Sequence, residues 1–149
     1  MDWTIESTDQ LLASTSDDRP VRLWDPITGA LRSILEGHSD WVTGVAVSPD
    51  CQLLASASSD STVGLWDSAT GALHSILEGH SGWALAVSFR PDGQLLASTS
   101  DDGTVRLWNA TTGALCNILN GHSDRVLKVA FSSEGQLFAS ASNDNEARL

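Results

Sequence analysis

Serine, histidine and aspartate recur together in this 149-residue chain, and these three residue types form the catalytic triads of hydrolases. His80, Ser98 and Asp102 make up one such set, and a nucleophilic triad would also need an exposed, activated serine beside an oxyanion hole. The set is repeated at the same spacing earlier in the chain, as His38, Ser56 and Asp60. Catalysis needs one site, whereas repetition beside a tryptophan indicates a structural role.

The segment that carries this set is a repeat. Residues 95–108 read LLASTSDDGTVRLW, and copies of this stretch end at Trp24 and Trp66 as well as at Trp108, so that the three tryptophans lie 42 residues apart. A fourth copy, LFASASNDNEARL, runs to Leu149, where the next tryptophan would follow. A fixed period in the forties indicates one supersecondary unit that has been copied several times.

Each copy contains four short runs of strand-forming residues separated by turn residues. In the second copy these runs are residues 41–48, 52–58, 61–66 and 72–78. They are rich in apolar and β-branched residues, and their connections are too short for crossovers. No helical periodicity is present. The sequence therefore predicts an all-β protein built from four-stranded antiparallel meanders, which is the signature of β-propeller blades.

These residues resemble the WD-repeat β-propeller family, whose pattern is a Gly-His pair, an Asp-containing turn and then Leu-Trp-Asp. Trp66-Asp67 matches that ending, as does Trp24-Asp25, whereas Trp108 is followed by asparagine. The resemblance implies one domain, 1–149, with blades at about 1–36, 37–78, 79–120 and 121–149. Trp3 would lie in a partial innermost strand of the first blade. Three blades and a partial fourth predict an incomplete or open propeller, because an isolated blade leaves apolar faces uncovered.

The same resemblance assigns the recurring polar residues to a hydrogen-bonded tetrad. A buried tryptophan must find an acceptor for its indole N–H, and a strand serine can accept it while it donates to a histidine that donates to an aspartate. Spacing alone leaves Ser98 and Ser100 as alternatives, and Ser98 follows the family. The end copies are incomplete, since the first lacks the histidine and the last lacks the tryptophan. The tetrads implied are His38–Ser56–Asp60–Trp66 and His80–Ser98–Asp102–Trp108, and the incomplete sets are Ser14, Asp18 and Trp24, and His122, Ser140 and Asp144.

A binding surface is predicted at one rim, where the Gly-His loops and the Asp turns lie together. The copies differ there while their apolar columns stay nearly unchanged, and tryptophan and arginine are among the varying residues. Variation of this kind indicates either a protein-binding surface or positions under no constraint, and the exposed aromatic residues favour binding. The candidate residues are Trp41, Thr43, Ser59, Trp83, Leu85, Asp101, Arg125, Leu127 and Asn143.

Composition argues against several classes of partner. The net charge is −11 and the chain has a single lysine, Lys128, so nucleic acids and anionic membranes are not expected as partners. Cys51 and Cys116 occupy different phases of the repeat, which favours reduced thiols over a disulfide or a metal site. No metal-ligand spacing or phosphate loop occurs, and we expect no cofactor. The N-terminus does not resemble a secretory signal, so a cytoplasmic or nuclear location is expected.

The sequence thus predicts a non-catalytic scaffold or sensor module that binds a protein or a peptide. The wording of the repeats is also similar to that of fungal receptors with a nucleotide-binding NACHT module and of bacterial WD-repeat proteins, in which the repeats form the sensing end. Two alternatives stay open, a non-functional fragment of such a receptor and a Ser/His/Asp hydrolase. Self-association that completes the propeller is a further possibility.

Overall fold

The structure is a computed structural model that describes residues 5–7, 11–15 and 19–149. Trp3 and Asp18, named above, lie outside the described residues. Fifteen strands and no helix occur in these ranges. The all-β prediction is confirmed.

Each strand is paired with its neighbour in the chain, so the four sheets are simple antiparallel meanders. The first sheet contains β1 (Ile5–Ser7), β2 (Leu12–Ser14), β3 (Val21–Trp24) and β4 (Leu31–Leu35). The second contains β5 (Val42–Val47), β6 (Leu53–Ser58), β7 (Val63–Asp67) and β8 (Leu73–Leu77). The third contains β9 (Ala84–Phe89), β10 (Leu95–Ser100), β11 (Val105–Asn109) and β12 (Leu115–Leu119). The fourth has three strands, β13 (Val126–Phe131), β14 (Phe138–Ser142) and β15 (Ala147–Arg148).

The turns between strands are set by local chemistry. Asp67 follows β7, and its carboxylate accepts the N–H groups of Ala69 and Thr70, which closes the turn into β8. The turn between β5 and β6 places Cys51 at a φ of 58°, where the next two copies have glycine. A left-handed residue at this point explains why glycine is the common choice there. Neither Cys51 nor Cys116 takes part in a disulfide.

Consecutive sheets pack face to face through three clusters of buried apolar side chains. Leu23 and Val21 of the first sheet meet Leu54 and Trp66 of the second. The second and third sheets share a cluster that includes Leu65 and Trp108. The third and fourth sheets share the cluster Ala97, Val105 and Val126, with Leu107, Leu119, Val129, Phe131 and Phe138 packed against it.

The innermost strands of neighbouring sheets are in contact, β1 with β5, β5 with β9 and β9 with β13, which is the radial arrangement of propeller blades. Over the part of the chain that the structure describes, none of the three clusters joins the first sheet to the fourth. The sheets therefore form an open arc. The prediction of an open propeller is confirmed.

Candidate functional site

Four elements of the third sheet bring one polar network together. His80 lies in the loop before β9, Ser98 on β10, Asp102 in the turn after β10, and Trp108 on β11. His80 Nδ1 lies 3.0 Å from Asp102 Oδ2, and His80 Nε2 lies 2.8 Å from Ser98 Oγ. Trp108 Nε1 donates to the same Ser98 oxygen at 2.8 Å. The structure thus places the four residues within hydrogen-bond distance of one another in one chain of contacts.

The direction of each hydrogen bond follows from the indole. Trp108 Nε1–H can only donate, so Ser98 Oγ accepts it and uses its own proton toward His80 Nε2. That nitrogen must then be unprotonated, which places the ring proton on Nδ1, from where it is donated to Asp102. Ser100, the alternative left open by spacing, instead donates its hydroxyl to the Gly82 carbonyl.

The second sheet repeats the network nearly atom for atom. His38 Nδ1 lies 2.9 Å from Asp60 Oδ2, and His38 Nε2 lies 2.7 Å from Ser56 Oγ. Trp66 Nε1 donates to Ser56 Oγ at 2.8 Å. Two complete networks therefore stand in adjacent sheets.

The end sheets contain parts of the network. In the first sheet Trp24 Nε1 donates to Ser14 Oγ at 2.9 Å, and Asp18 lies outside the described residues. In the fourth sheet His122 lies 2.8 Å from Asp144 and 2.9 Å from Ser140. Ser140 thus has a histidine partner and no indole donor among the described residues.

One participant was missed by sequence reasoning. Thr104, two residues after Asp102, donates its hydroxyl to Asp102 Oδ1 at 2.6 Å and its N–H to the same oxygen at 2.9 Å. Thr62 makes the same two contacts with Asp60 in the second sheet. The signal was present as a threonine two positions after the aspartate in both complete copies.

The network holds its acid and its histidine in the charge states that the hydrogen bonds require. Burial, the largest influence on Asp102, raises its pKa. Hydrogen bonds from the Thr104 hydroxyl, from His80 and from the N–H groups of Thr104 and Ser81 outweigh it, and the pKa falls to about 2. Burial lowers the pKa of His80, and the nearby Asp102 carboxylate only partly offsets this. A neutral imidazole beside an ionised carboxylate is the state that the proton directions demand.

These shifts make stability depend on pH. The unfolded chain binds a proton at residue 80 more tightly than the folded chain, so stability falls as pH drops from about 7 through the ordinary histidine pKa of ~6.5. Protonation of Asp102 lowers the free energy of unfolding by a further amount on the order of 2 kcal/mol as pH falls from about 4 toward 2. We expect thermal unfolding scans to show a lower midpoint at pH 5.5 than at pH 7.5. The scans should be repeated on the variant His80→Gln. His74→Gln is the matched control, because His74 lies at an exposed position on β8.

His80→Gln should reduce the difference in midpoint between the two pH values, because residue 80 no longer titrates. His74→Gln should leave most of that difference in place. An unchanged difference in His80→Gln would contradict the assignment of His80 as a neutral, buried member of the network.

The geometry leaves little for nucleophilic catalysis. Ser98 is fully buried and His80 is only 7% exposed, so a substrate carbonyl has no path to the hydroxyl. The Ser98 oxygen is also engaged by both Trp108 and His80. Each of these polar groups has a hydrogen-bond partner. The arrangement therefore buries an indole N–H without the free-energy penalty of an unpaired polar group.

The predicted rim contains two exposed tryptophans. Trp41 is 53% exposed and Trp83 is 47% exposed, and they occupy equivalent positions before β5 and β9. Their backbones are fixed, since the Trp41 carbonyl accepts the Ser59 N–H and the Trp83 carbonyl accepts the Asp101 N–H. The rim therefore presents large apolar side chains on a backbone that is hydrogen-bonded to the adjacent turn.

Other rim residues are less available than predicted. Ser59 is only 6% exposed, so it offers no side chain to a partner. Thr43 is half-buried, and its hydroxyl lies 2.6 Å from the Ala84 carbonyl of the neighbouring sheet and 3.1 Å from the Ala57 carbonyl, so that its single proton is directed to the nearer of the two. These two positions are therefore less exposed than the predicted rim implied, Ser59 because it is buried and Thr43 because its hydroxyl contacts the neighbouring sheet.

The remaining rim positions lie toward the third and fourth sheets. Leu85 is half-buried on β9, whereas Leu127 is 39% exposed and Asn143 is exposed. Arg125 Nε lies 3.5 Å from Asp101 Oδ1, which makes an ion pair between the two sheets. Both partners are partly open to solvent, so this pair contributes little to stability.

Within 5–7, 11–15 and 19–149, no three residues among His, Cys, Asp and Glu are grouped so that they could hold a metal ion. Among those same residues no helix has the length and apolar character to cross a bilayer.

The four antiparallel sheets repeat every 42 residues, and each is linked internally by a His–Ser–Asp or a Trp–Ser contact. These features define a repeat protein of the β-propeller class. The family profile WD40, described as "WD domain, G-beta repeat", matches residues 29–67, 71–109 and 113–149. These matches cover more than half of the chain, and the chain therefore belongs to the WD-repeat family.

Curated relatives share single repeats with this chain. Nuclear distribution protein PAC1 of Coccidioides posadasii (strain C735) is 50% identical over 40 residues, or 27% of this chain and 8% of that protein. The PAC1 protein of Mycosarcoma maydis is 44% identical over 41 residues, 28% of this chain and 9% of the relative. Lissencephaly-1 homolog 1 of Paramecium tetraurelia is 42% identical over 43 residues, 29% of this chain and 11% of the relative. The matched segments thus span about a tenth of these relatives.

Proposed function

We propose that this protein is a non-catalytic interaction module that binds a protein or peptide partner on the rim formed by the Gly-His loops and the Asp turns. The observation that carries the proposal is the pair of exposed tryptophans, Trp41 and Trp83, at equivalent positions of adjacent sheets. Large aromatic side chains are over-represented among the residues that dominate binding energy at protein interfaces. Membership of the WD-repeat family supports a role in protein interaction.

The chemistry of the rim favours a partner segment with basic residues. Asp40 lies next to Trp41, and its carboxylate accepts the Trp41 N–H, which keeps a negative charge beside the indole. Asp124 is exposed in the equivalent loop of the fourth sheet. Lysine or arginine can pair with such carboxylates while it stacks on an indole face. The net charge of −11 adds long-range attraction for a basic partner.

The test uses peptides selected from a random displayed library on the wild-type chain. We expect Trp41→Ala with Trp83→Ala to weaken the selected peptides by at least ~30-fold, since the loss of one dominant aromatic residue costs about 2 kcal/mol or more. Binding is measured by fluorescence anisotropy, and circular dichroism checks that both chains stay folded.

The matched control removes two equally exposed apolar side chains from an outer strand. Leu73 is 44% exposed and Ile76 is 49% exposed, and both lie on β8. Leu73→Ala with Ile76→Ala should leave peptide affinity within about twofold of wild type. Selected peptides that bind the tryptophan double variant as tightly as wild type would rule out this rim.

A further inference from the structure

The loop between β12 and β13 contains an asparagine followed by a glycine, Asn120 and Gly121. The side-chain amide of an asparagine is open to attack by the backbone nitrogen of the next residue. The attack is fastest before glycine, because glycine has no side chain to crowd that nitrogen. It also requires that the pair is exposed to water and that the nitrogen is free of hydrogen bonds. The structure shows that this pair meets both conditions.

The first condition is exposure, and Asn120 and Gly121 are both exposed. The equivalent loops of the two preceding copies hold Glu36 and Glu78, each followed by glycine, and these residues are exposed as well. The exposure is therefore a property of this loop in three successive copies. Water reaches both members of the pair.

The second condition is a free backbone nitrogen at Gly121. Among the residues that the structure describes, no hydrogen bond involves the Gly121 N–H or the Asn120 side chain. The electrophilic amide carbon and the nucleophilic nitrogen are thus both available. Gly121 also has a φ of 153°, which residues with a Cβ rarely adopt. The fold itself therefore requires the glycine that makes the pair reactive.

Two other asparagines lie in strands, where the nitrogen that follows them is held or crowded. The Ala110 N–H, which follows Asn109, donates to the Gln94 carbonyl at 3.0 Å. The Ile118 N–H, which follows Asn117, donates to the Asn117 side-chain oxygen at 2.9 Å. The β-branched side chain of Ile118 also restricts approach to its nitrogen. Neither pair offers a nitrogen that is both free and uncrowded.

The remaining two asparagines lie in the turn between β14 and β15. The Asp144 N–H, which follows Asn143, donates to Ser142 Oγ at 3.1 Å. The Glu146 N–H, which follows Asn145, donates to Asp144 Oδ1 at 2.9 Å. Of the five asparagines in the chain, the described structure therefore leaves one, in the loop between β12 and β13, with a free N–H after it.

We propose that Asn120 is a site of spontaneous deamidation. The Gly121 nitrogen loses its proton to water and bonds to the side-chain carbonyl carbon of Asn120. The bond from that carbon to the amide nitrogen breaks, and the nitrogen takes up a proton and leaves as ammonia, so that a succinimide ring remains. Water then opens the ring at the side-chain carbonyl to give aspartate, or at the main-chain carbonyl to give isoaspartate. The reaction consumes only water and does not depend on the partner binding proposed above.

The two products differ in their effect on the loop. Aspartate leaves the backbone unchanged and places a carboxylate where the two preceding copies have Glu36 and Glu78. Isoaspartate adds a methylene group to the backbone two residues before His122. His122 Nδ1 lies 2.8 Å from Asp144, and its Nε2 lies 2.9 Å from Ser140. Hydrogen bonds weaken steeply outside a narrow range of distance and angle, so the isoaspartyl form loses these contacts.

The test measures the rate of deamidation at each asparagine in the intact, folded chain. The protein is incubated at mildly alkaline pH and digested at intervals, and mass spectrometry with electron-transfer fragmentation gives the fractions of aspartate and isoaspartate. We expect Asn120 to react at least ~10-fold faster than each of the other four asparagines, which corresponds to an activation free energy lower by about 1.4 kcal/mol. Equal rates at all five positions would overturn the proposal.

The same measurement in guanidinium chloride separates the contribution of the fold from that of the local sequence. Unfolding releases the N–H groups that follow the other four asparagines, and their rates should rise at least ~5-fold. The rate at Asn120 should stay within about threefold of its value in the folded chain. A larger increase at Asn120 on unfolding would show that the loop protects the pair, and the proposal would be wrong.

Two variants test the effect on stability. Asn120→Asp carries the aspartyl product, and Asn120→Gln is the matched control, because the longer side chain closes a ring less readily. Both should have the thermal midpoint of fresh wild type. Wild type enriched in isoaspartate should unfold at a lower temperature, and a methyltransferase specific for isoaspartyl residues, with S-adenosylmethionine, should restore the midpoint. An isoaspartyl form as stable as Asn120→Asp would disprove the link to His122.

Discussion

Asp102→Ala is expected to lower the free energy of unfolding by about 3 kcal/mol or more, because one carboxylate serves four donors. These are His80 Nδ1 at 3.0 Å, the Ser81 N–H at 3.0 Å, and the N–H and hydroxyl of Thr104 at 2.9 and 2.6 Å. Hydrogen bonds to a charged group contribute roughly 1.5–3 kcal/mol each, and several of these donors become buried and unpaired in the variant.

Asp101→Ala is the matched control, since the same residue type is removed one position earlier. Asp101 makes an ion pair with Arg125 at 3.5 Å, with the Asp101 side chain 22% exposed and that of Arg125 47% exposed. Such pairs contribute about 0–1 kcal/mol. Thermal and urea unfolding of both variants give the comparison. At ~2–4 °C per kcal/mol for a chain of this size, the two midpoints should differ by several degrees, and equal midpoints would remove Asp102 from the network.

The strands were predictable because each is short, apolar and bounded by turn residues. The predicted runs 52–58 and 61–66 agree within one or two residues with β6 and β7. Asp67 and the Thr-Gly pair that follows it mark the next turn in sequence and close it in the structure. Within a sheet each strand pairs with the next strand along the chain, so the pattern of a single repeat carries the information.

Contacts between sheets were much harder to predict from the sequence. Thr43 looked like a variable rim position, yet its hydroxyl bonds the Ala84 carbonyl 41 residues away. Ser59 looked exposed and is covered. The contact of Thr43 depends on how one sheet packs against the next, and the pattern of a single repeat does not contain that information.

Ser98→Ala is the second large expected effect, and the repeats supply its comparison. The change leaves two groups without a partner in the interior, Trp108 Nε1–H and His80 Nε2. Trp108 is 2% exposed and His80 is 7% exposed, so water cannot replace the hydroxyl. An unsatisfied buried polar group costs about 1–3 kcal/mol, and we expect a total loss of roughly 2–5 kcal/mol in urea unfolding. Ser56→Ala should lower the free energy of unfolding by a similar amount.

Ser140→Ala provides the control, because this serine has His122 as its partner and borders a cavity. One polar group is left unpaired, and that cavity, with a volume of about 260 Å³ and polar atoms at its wall, has room for a water molecule to bond to it. The expected loss is about 1 kcal/mol. The difference between the two variants measures what the indole hydrogen bond adds to a serine that already serves a histidine. Equal destabilisation by Ser140→Ala and Ser98→Ala would contradict this account. It would mean that the second hydrogen bond of Ser98, the one from the indole, adds nothing to stability, and the network would not explain why the tryptophan lies beside the serine.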